Sequence, residues 1–267
     1  FTYRLENEKE KSTLTPEKCI QYQFKIGADI IYCLDYCTHP SAPDEVQEES
    51  VDLTVKWAKR CKKEYENQLK IRKIKDEDRP LIFGVVQGGN SKELRKKCAE
   101  GLLEIGFDGY GFGGWPIDDE GKLLDMVGYV AELIGPGYPK HALGIGKPEN
   151  LVRAYLAGYE IFDCVIPTRD ARHKRLYTFR DYEGIITKDD LSGDLYKYIY
   201  MQDEVHIKDF GPIEQSCDCH TCRNHSRSYL HHLFRINDTL ANRLATIHNL
   251  RFYTRLIDKI REIDEQG

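Results

Sequence analysis

Three cysteines fall within six residues, Cys217, Cys219 and Cys222, with Asp218 and His220 between them. A tight turn swings thiolates at this spacing to one side, where they converge on a point. Zinc accepts four such soft or borderline ligands in a tetrahedron, so the chemistry implied is metal binding. The other cysteines are scattered singly, which sets the cluster apart. Candidates for the fourth ligand are His220, His225, His231, His232 and His248, and spacing does not choose among them.

A second group of chemically able residues is spread along the chain: Asp35, Gln87, Gly113 with Gly114, Gly144 with Gly146, and Asp163 ahead of Pro167-Thr168-Arg169. Two carboxylates, an amide and bare backbone N–H groups suit a planar heterocycle with amide and amine edges. A carboxylate accepts from ring N–H and exocyclic amine, while glutamine and glycine N–H groups donate to a carbonyl oxygen. Singly, each has a plainer reading, since an aspartate at a strand end is most often a helix cap and Gln87 can simply begin a turn. The run Gly109 to Gly114 has the look of a dinucleotide loop but lacks the acidic residue such a loop requires further on. Gly144-Ile145-Gly146-Lys147-Pro148 is no Walker loop, because proline follows the lysine. Residues 167–180 carry Arg169, Arg172, Lys174, Arg175 and Arg180 against one acid, Asp170. That excess suits phosphates, and equally a solvated loop.

These residues need elements to place them. Ala28–Leu34 reads as a buried strand, and apolar residues at Val51, Val55, Ala58 and Tyr65 give 44–69 a helical stripe. After a charged linker over 70–79 come a strand at Leu81–Val86 and a helix at Ser91–Ile105 capped by its serine. Gly109–Phe112, a helix over Glu120–Ile134, His141–Ile145, a helix from Pro148 and an apolar strand at Ile161–Ile166 follow. Regular strand–helix alternation predicts a parallel sheet covered on both faces, as a barrel or an open doubly wound sheet. The able residues recur at the carboxyl end of every strand, the face on which barrel loops converge, whereas an open sheet gathers them at one switch point. The expectation is a (β/α)8 barrel.

With 267 residues, 40 % apolar and 11 % aromatic, the chain can bury a sizeable core. The formal charge of −5 gives no global nucleic-acid signature. Nine cysteines is an odd number, and no apolar run resembles a signal peptide or a membrane span. A disulfide framework is therefore not expected, and the cytoplasm is the expected location.

Several motifs then occur together and in order: Val85-Val86-Gln87-Gly88-Gly89, Ile105-Gly106-Phe107-Asp108-Gly109-Tyr110 with Gly113-Gly114, Leu143-Gly144-Ile145-Gly146-Lys147-Pro148, Phe162-Asp163-Cys164-Val165-Ile166-Pro167-Thr168-Arg169, and Cys217-Asp218-Cys219-His220-Thr221-Cys222. The set resembles the tRNA-guanine transglycosylase family, also called queuine tRNA-ribosyltransferase, over nearly the whole chain from Leu14-Thr15-Pro16-Glu17 onward. The resemblance implies exchange of guanine at the wobble position of tRNAs with a GUN anticodon for a 7-deazaguanine, preQ1 or queuine. It makes Asp163 the nucleophile that attacks ribose C1′, with net retention through a covalent intermediate. Asp35, Gln87 and the Gly114 backbone bind the heterocycle, Leu143 packs on its face, and Arg169 and Arg172 hold the flanking anticodon bases. The fourth ligand becomes His248, closing a structural zinc site with Cys217, Cys219 and Cys222. The same resemblance implies a homodimer, a barrel portion over 1–195, and a zinc-binding subdomain with C-terminal helices over 196–267. There Arg223, Arg227, Arg235, Arg243, Arg251 and Arg255 are candidates to lie against the tRNA backbone.

The sequence also departs from the family pattern. The family's Asp-Ser-Gly-Gly segment, whose aspartate serves as general acid/base, is not in this sequence, and five strand–helix units cannot close eight strands. The remainder is expected upstream or on a separate chain. Trp115-Pro116-Ile117-Asp118 follows the double glycine where the family has a small-residue stretch, and His173-Lys174-Arg175 replaces a glycine-containing turn. Both bear on which base enters, while Asp35-Tyr36 and Cys37 lean to the preQ1 type. Two alternatives remain. A non-catalytic subunit of a heteromeric transglycosylase would typically lose the nucleophile, and Asp163 is present. A paralogue acting on another nucleic acid would keep the chemistry.

Overall fold

The computed structural model describes residues 2–4, 6, 11–180 and 195–265. Two compact units emerge, one of residues 1–145 with 154–162 and the other of 146–153 with 163–267.

In the first unit, a short antiparallel pair, β1 (Thr2–Tyr3) and β2 (Ser12–Thr13), precedes α1 (Pro16–Ile26). Thr15 caps that helix by accepting from the Lys18 N–H. Then follow β3 (Ile30–Tyr32), α2 (Asp44–Arg72), β4 (Leu81–Val86), α3 (Lys92–Ile105), β5 (Gly109–Phe112), α4 (Asp125–Ile134), β6 (Lys140–Leu143), α5 (Pro148–Leu156) and β7 (Ile161–Asp163), of which 148–153 and Asp163 belong to the second unit. Strands β3 to β7 form one sheet in the order of the chain, without reversal. A doubly wound sheet reverses its order at the switch point and a barrel does not, so the α/β fold is of the barrel type. Buried on both faces, β4 reads as an unbroken apolar run. Its Phe83 pairs in register with Gly109, and a Cβ at Gly109 would sit 2.3 Å from the phenyl ring. Only glycine lets these two strands meet there.

Several element boundaries depart from expectation for local reasons. Helix α2 runs three residues into the expected linker, because Leu69 still packs on the core, and it stops at Lys73, whose φ of 53° closes the last turn. Helix α4 begins at Asp125 instead of Glu120. Asp118 Oδ1 accepts from the Lys122 N–H at 2.8 Å, Gly121 has φ of 80°, and Ile117 bridges Leu123, so 117–123 is a tight reverse turn. The expected strand over Ile161–Ile166 ends at Asp163, because Pro167 opens a helix instead.

The second unit holds that helix, α6 (Ile166–Arg172), the antiparallel hairpin β8 (Arg175–Phe179) and β9 (Tyr196–Tyr200), and α7 (His220–Asn224), α8 (Arg227–Arg235) and α9 (Thr239–Glu265). Its core gathers Leu176, Met201, Leu230, Leu233 and Leu244 around the three clustered cysteines. Phe252 of α9 lies against Tyr177 and Phe179 with ring centroids 5.3 and 4.4 Å apart. No helix among the described residues is long and apolar enough to cross a membrane.

Candidate active site and metal centre

In the first unit, the loop after β3 brings Asp35 to the end of β4, where Gln87 Nε2 donates to Asp35 Oδ2 at 2.6 Å. Gln87 is buried and its backbone N–H meets Cys98 Sγ at 3.3 Å. Burial raises the Asp35 pKa, with the Gln87 hydrogen bond opposing it. The glycines that follow β5 make room for this pair. A Cβ at Gly113 would fall 2.4 Å from Gln87 Nε2, and Gly114 adopts φ of 91°, where a Cβ would touch both Gln87 Oε1 and Arg95 Nη2 at 3.5 Å. Asp35, Gln87 and Gly114 thus lie together. Leu143, half-buried at the end of β6, packs over Gly111 of β5.

The loop that carries Asp35 is held by residues the sequence reading missed. Gln47, Ser50 and Thr54 lie on the buried stripe of α2. Ser50 Oγ donates to Tyr36 O at 2.5 Å, Thr54 Oγ1 accepts from the Tyr36 N–H at 3.0 Å, and Gln47 Nε2 donates to His39 O at 3.0 Å. The signal was polar residues at helical spacing alongside Val51 and Ala58. Arg95, on the stripe of Cys98, Ala99 and Leu102 in α3, was missed for the same reason.

In the second unit, Asp163 is exposed at the end of β7. The next residue, Cys164, packs so tightly on Gly146 that a Cβ there would lie 2.4 Å from its sulfur, and Tyr253 Oη donates to Gly146 O at 2.7 Å. Arg169 and Arg172 are exposed on α6. Arg175 is not part of a free basic loop. Its guanidinium bonds the buried Asp170 carboxylate at 2.8 and 3.0 Å, and Tyr177 Oη donates to the same carboxylate. Three C-terminal arginines are likewise committed, Arg227 to Asp209, Arg251 to Asp218 and Arg255 to Glu214.

Cys217, Cys219, Cys222 and His248 are all buried, with ligand atoms within 4.8 Å of one another. The three sulfurs stand 3.8, 3.8 and 3.3 Å from His248 Nδ1. A tetrahedral zinc with ordinary bond lengths separates sulfur from nitrogen by about 3.5 Å, so the cluster fits the ion. The ring is oriented for it, because Nε2 donates to the Tyr177 carbonyl at 2.7 Å and leaves the Nδ1 lone pair facing the sulfurs. Hydrogen bonds from the neighbouring thiols of Cys217 and Cys222 pull the Cys219 pKa well below that of an ordinary thiol. The cluster can hold a metal ion.

A family profile described as queuine tRNA-ribosyltransferase matches residues 2–267. The chain belongs to that family. Among curated proteins, the queuine tRNA-ribosyltransferase of Caldanaerobacter subterraneus subsp. tengcongensis is 37 % identical over 265 residues, 99 % of this chain and 64 % of that protein. Those of Idiomarina loihiensis (37 % over 267 residues, 100 % and 65 %) and Shewanella halifaxensis (38 % over 263 residues, 97 % and 62 %) are similarly related. The chain thus spans less than two thirds of the length of these queuine tRNA-ribosyltransferases. The family relationship agrees with the barrel-type sheet and with the three-cysteine, one-histidine cluster.

Proposed function

We propose that the chain is the base-exchanging part of a tRNA-guanine transglycosylase, which replaces guanine at the wobble position of GUN-anticodon tRNAs with preQ1 or queuine in the cytoplasm. The observation that carries this reading is the hydrogen bond between half-buried Asp35 and buried Gln87 beside the Gly113-Gly114 backbone, which carries no side chain. One Gln87 amide proton is committed to Asp35, and the second, with the Gly114 N–H, suits a purine carbonyl oxygen. The remaining lone pairs of the Asp35 carboxylate suit the ring N–H and the exocyclic amine. Leu143 is assigned to the face of the base, and Arg169 and Arg172 to the flanking anticodon nucleotides.

In the proposed reaction an Asp163 carboxylate oxygen attacks ribose C1′ and forms an ester while the C1′–N9 bond breaks and guanine leaves with the electron pair. The incoming base then attacks C1′ from the face guanine left, the ester bond breaks, and configuration is retained. Cys217, Cys219, Cys222 and His248 would hold zinc with no open position, so the ion supplies scaffolding. A homodimer is the proposed assembly.

The test is a denaturing gel of the protein incubated with a GUN-anticodon tRNA. A covalent protein–RNA band is expected from the wild type and none from Asp163→Asn; an equal band in the variant refutes the assignment of the nucleophile.

A further inference from the structure

Arg95 is 1 % exposed, yet no carboxylate meets it among the described residues. A guanidinium keeps its charge in a protein, so its burial demands acceptors. All of them are backbone carbonyls: Nη1 donates to Val86 O at 2.6 Å and Gly113 O at 2.8 Å, and Nε donates to Gly89 O at 2.9 Å. The Phe112 ring lies 4.2 Å from Cζ. Val86 immediately precedes Gln87, and Gly113 immediately precedes Gly114. One side chain therefore ties the ends of β4 and β5 together on either side of the two groups assigned to the purine carbonyl. Among the described residues Nη2 has no hydrogen-bond acceptor, and it stands 3.5 Å from where a Cβ on Gly114 would be, the same distance as Gln87 Oε1. Gly88 tightens the arrangement, since a Cβ there would lie 2.6 Å from the Arg95 backbone nitrogen.

We propose that Arg95 is a positioning residue of the base site, fixing the Gln87 amide and the Gly114 N–H at the separation that serves one purine carbonyl oxygen, with its charge directed at that oxygen. The inference rests on the reading of Asp35, Gln87 and Gly114 as the base site. Lysine would keep the charge but reach only part of the three-carbonyl set, so Arg95→Lys separates charge from geometry.

Calorimetric titration of guanine into the protein tests both levels. No binding by the wild type overturns the base-site reading, and this inference with it. With the wild type binding, Arg95→Lys is expected to weaken guanine by about tenfold or more, as loss of a charged hydrogen bond does. In a Gln87→Ala background the same change is expected to add little, because Arg95 acts through Gln87. Unchanged affinity in Arg95→Lys, or fully additive losses in the double variant, overturns the role of Arg95 and leaves the base-site reading standing. Should the variant fail to fold, arginine-labelled wild-type protein decides: guanine is expected to shift the most slowly exchanging guanidinium signal, and an unmoved signal overturns the proposal.

Discussion

His248 donates from Nε2 to the backbone carbonyl of Tyr177 at 2.7 Å, while the next residue, Asn249, accepts from the Tyr177 N–H through Oδ1 at 3.2 Å. Two consecutive residues of α9 thus grip both polar groups of one hairpin residue. Asn249 Nδ2 also donates to Pro167 O and Arg175 O, both at 3.0 Å, which ties α6 to the same point. An ion held on His248 Nδ1 would steady β8 through the ring, while Asn249 supplies the bond to α6. Metal analysis is expected to find one zinc per wild-type chain and much less in Cys219→Ser. Loss of the site should cost roughly 3 kcal/mol or more, a fall in melting temperature of about 10 °C. Amide exchange at Tyr177 should quicken in the variant. A Cys219→Ser protein that keeps a full equivalent of zinc refutes the ligand set.

Asp35 gives a pH dependence. Burial raises its pKa above 3.8 in the folded protein, against the opposing Gln87 hydrogen bond, so the folded state holds the proton more tightly than the unfolded chain. The resulting contribution disfavours folding as pH rises through the raised value. Base binding runs the other way, since the ionised carboxylate is the form that accepts from ring N–H and amine. Guanine affinity is expected to fall on acidification at a higher pH than an ordinary aspartate would give. Asp35→Asn should flatten that limb and weaken binding by about tenfold or more. Titrations across a pH series check both, and an acid limb unchanged in Asp35→Asn assigns the titration to another group.

The alternation of strands and helices was legible in the sequence because each parallel strand is a short apolar run, as at Leu81–Val86, and each helix keeps its stripe. The cluster that can hold a metal ion was legible in part: three cysteines stand out by spacing alone, whereas His248 lies on a separate helix and needed the family resemblance. What spacing could not give is how polar groups are used in a packed interior. Asp170 looked like the one acid in a basic run, yet it is the buried anchor that takes Arg175 out of that run. Gln47, Ser50, Thr54 and Arg95 are polar residues on buried stripes, and hydropathy patterns treat such positions as errors. Their partners are backbone groups outside their own helices, carbonyls for Gln47, Ser50 and Arg95 and the Tyr36 N–H for Thr54, which no spacing rule encodes.

Asp108 immediately precedes β5, and its structural use is specific. Arg79 meets it in a two-pronged ion pair with both contacts at 2.7 Å, and the Ile82 N–H donates to it at 2.8 Å. Burial alone would raise the Asp108 pKa, but these hydrogen bonds outweigh it and hold the carboxyl below its ordinary value. A depressed folded pKa contributes stability that is complete above the unfolded value and is lost as pH falls through the folded one. Asp108→Asn is expected to cost about 2 kcal/mol near neutral pH and progressively less in acid. Urea midpoints for wild type and variant at a series of pH values check this, and a difference independent of pH contradicts it.

Arg172 and Arg175 stand three residues apart and should behave as opposites. Arg172 is exposed on α6, whereas Arg175 bonds Asp170 and lies over the Tyr198 ring, its Cζ 4.8 Å from the centroid. Arg172→Ala is expected to leave stability unchanged while weakening tRNA binding and reducing the slope of log affinity against log salt by about 1, the signature of one lost phosphate contact. Arg175→Ala leaves the buried Asp170 carboxylate with only the more distant Arg169 Nε at 3.7 Å, and should cost about 2 kcal/mol of stability with no change in that slope. Filter binding at several salt concentrations, paired with urea melts, separates the two effects. A reduced salt slope in Arg175→Ala at unchanged stability would return that side chain to the RNA-facing group and refute its role as the partner of Asp170.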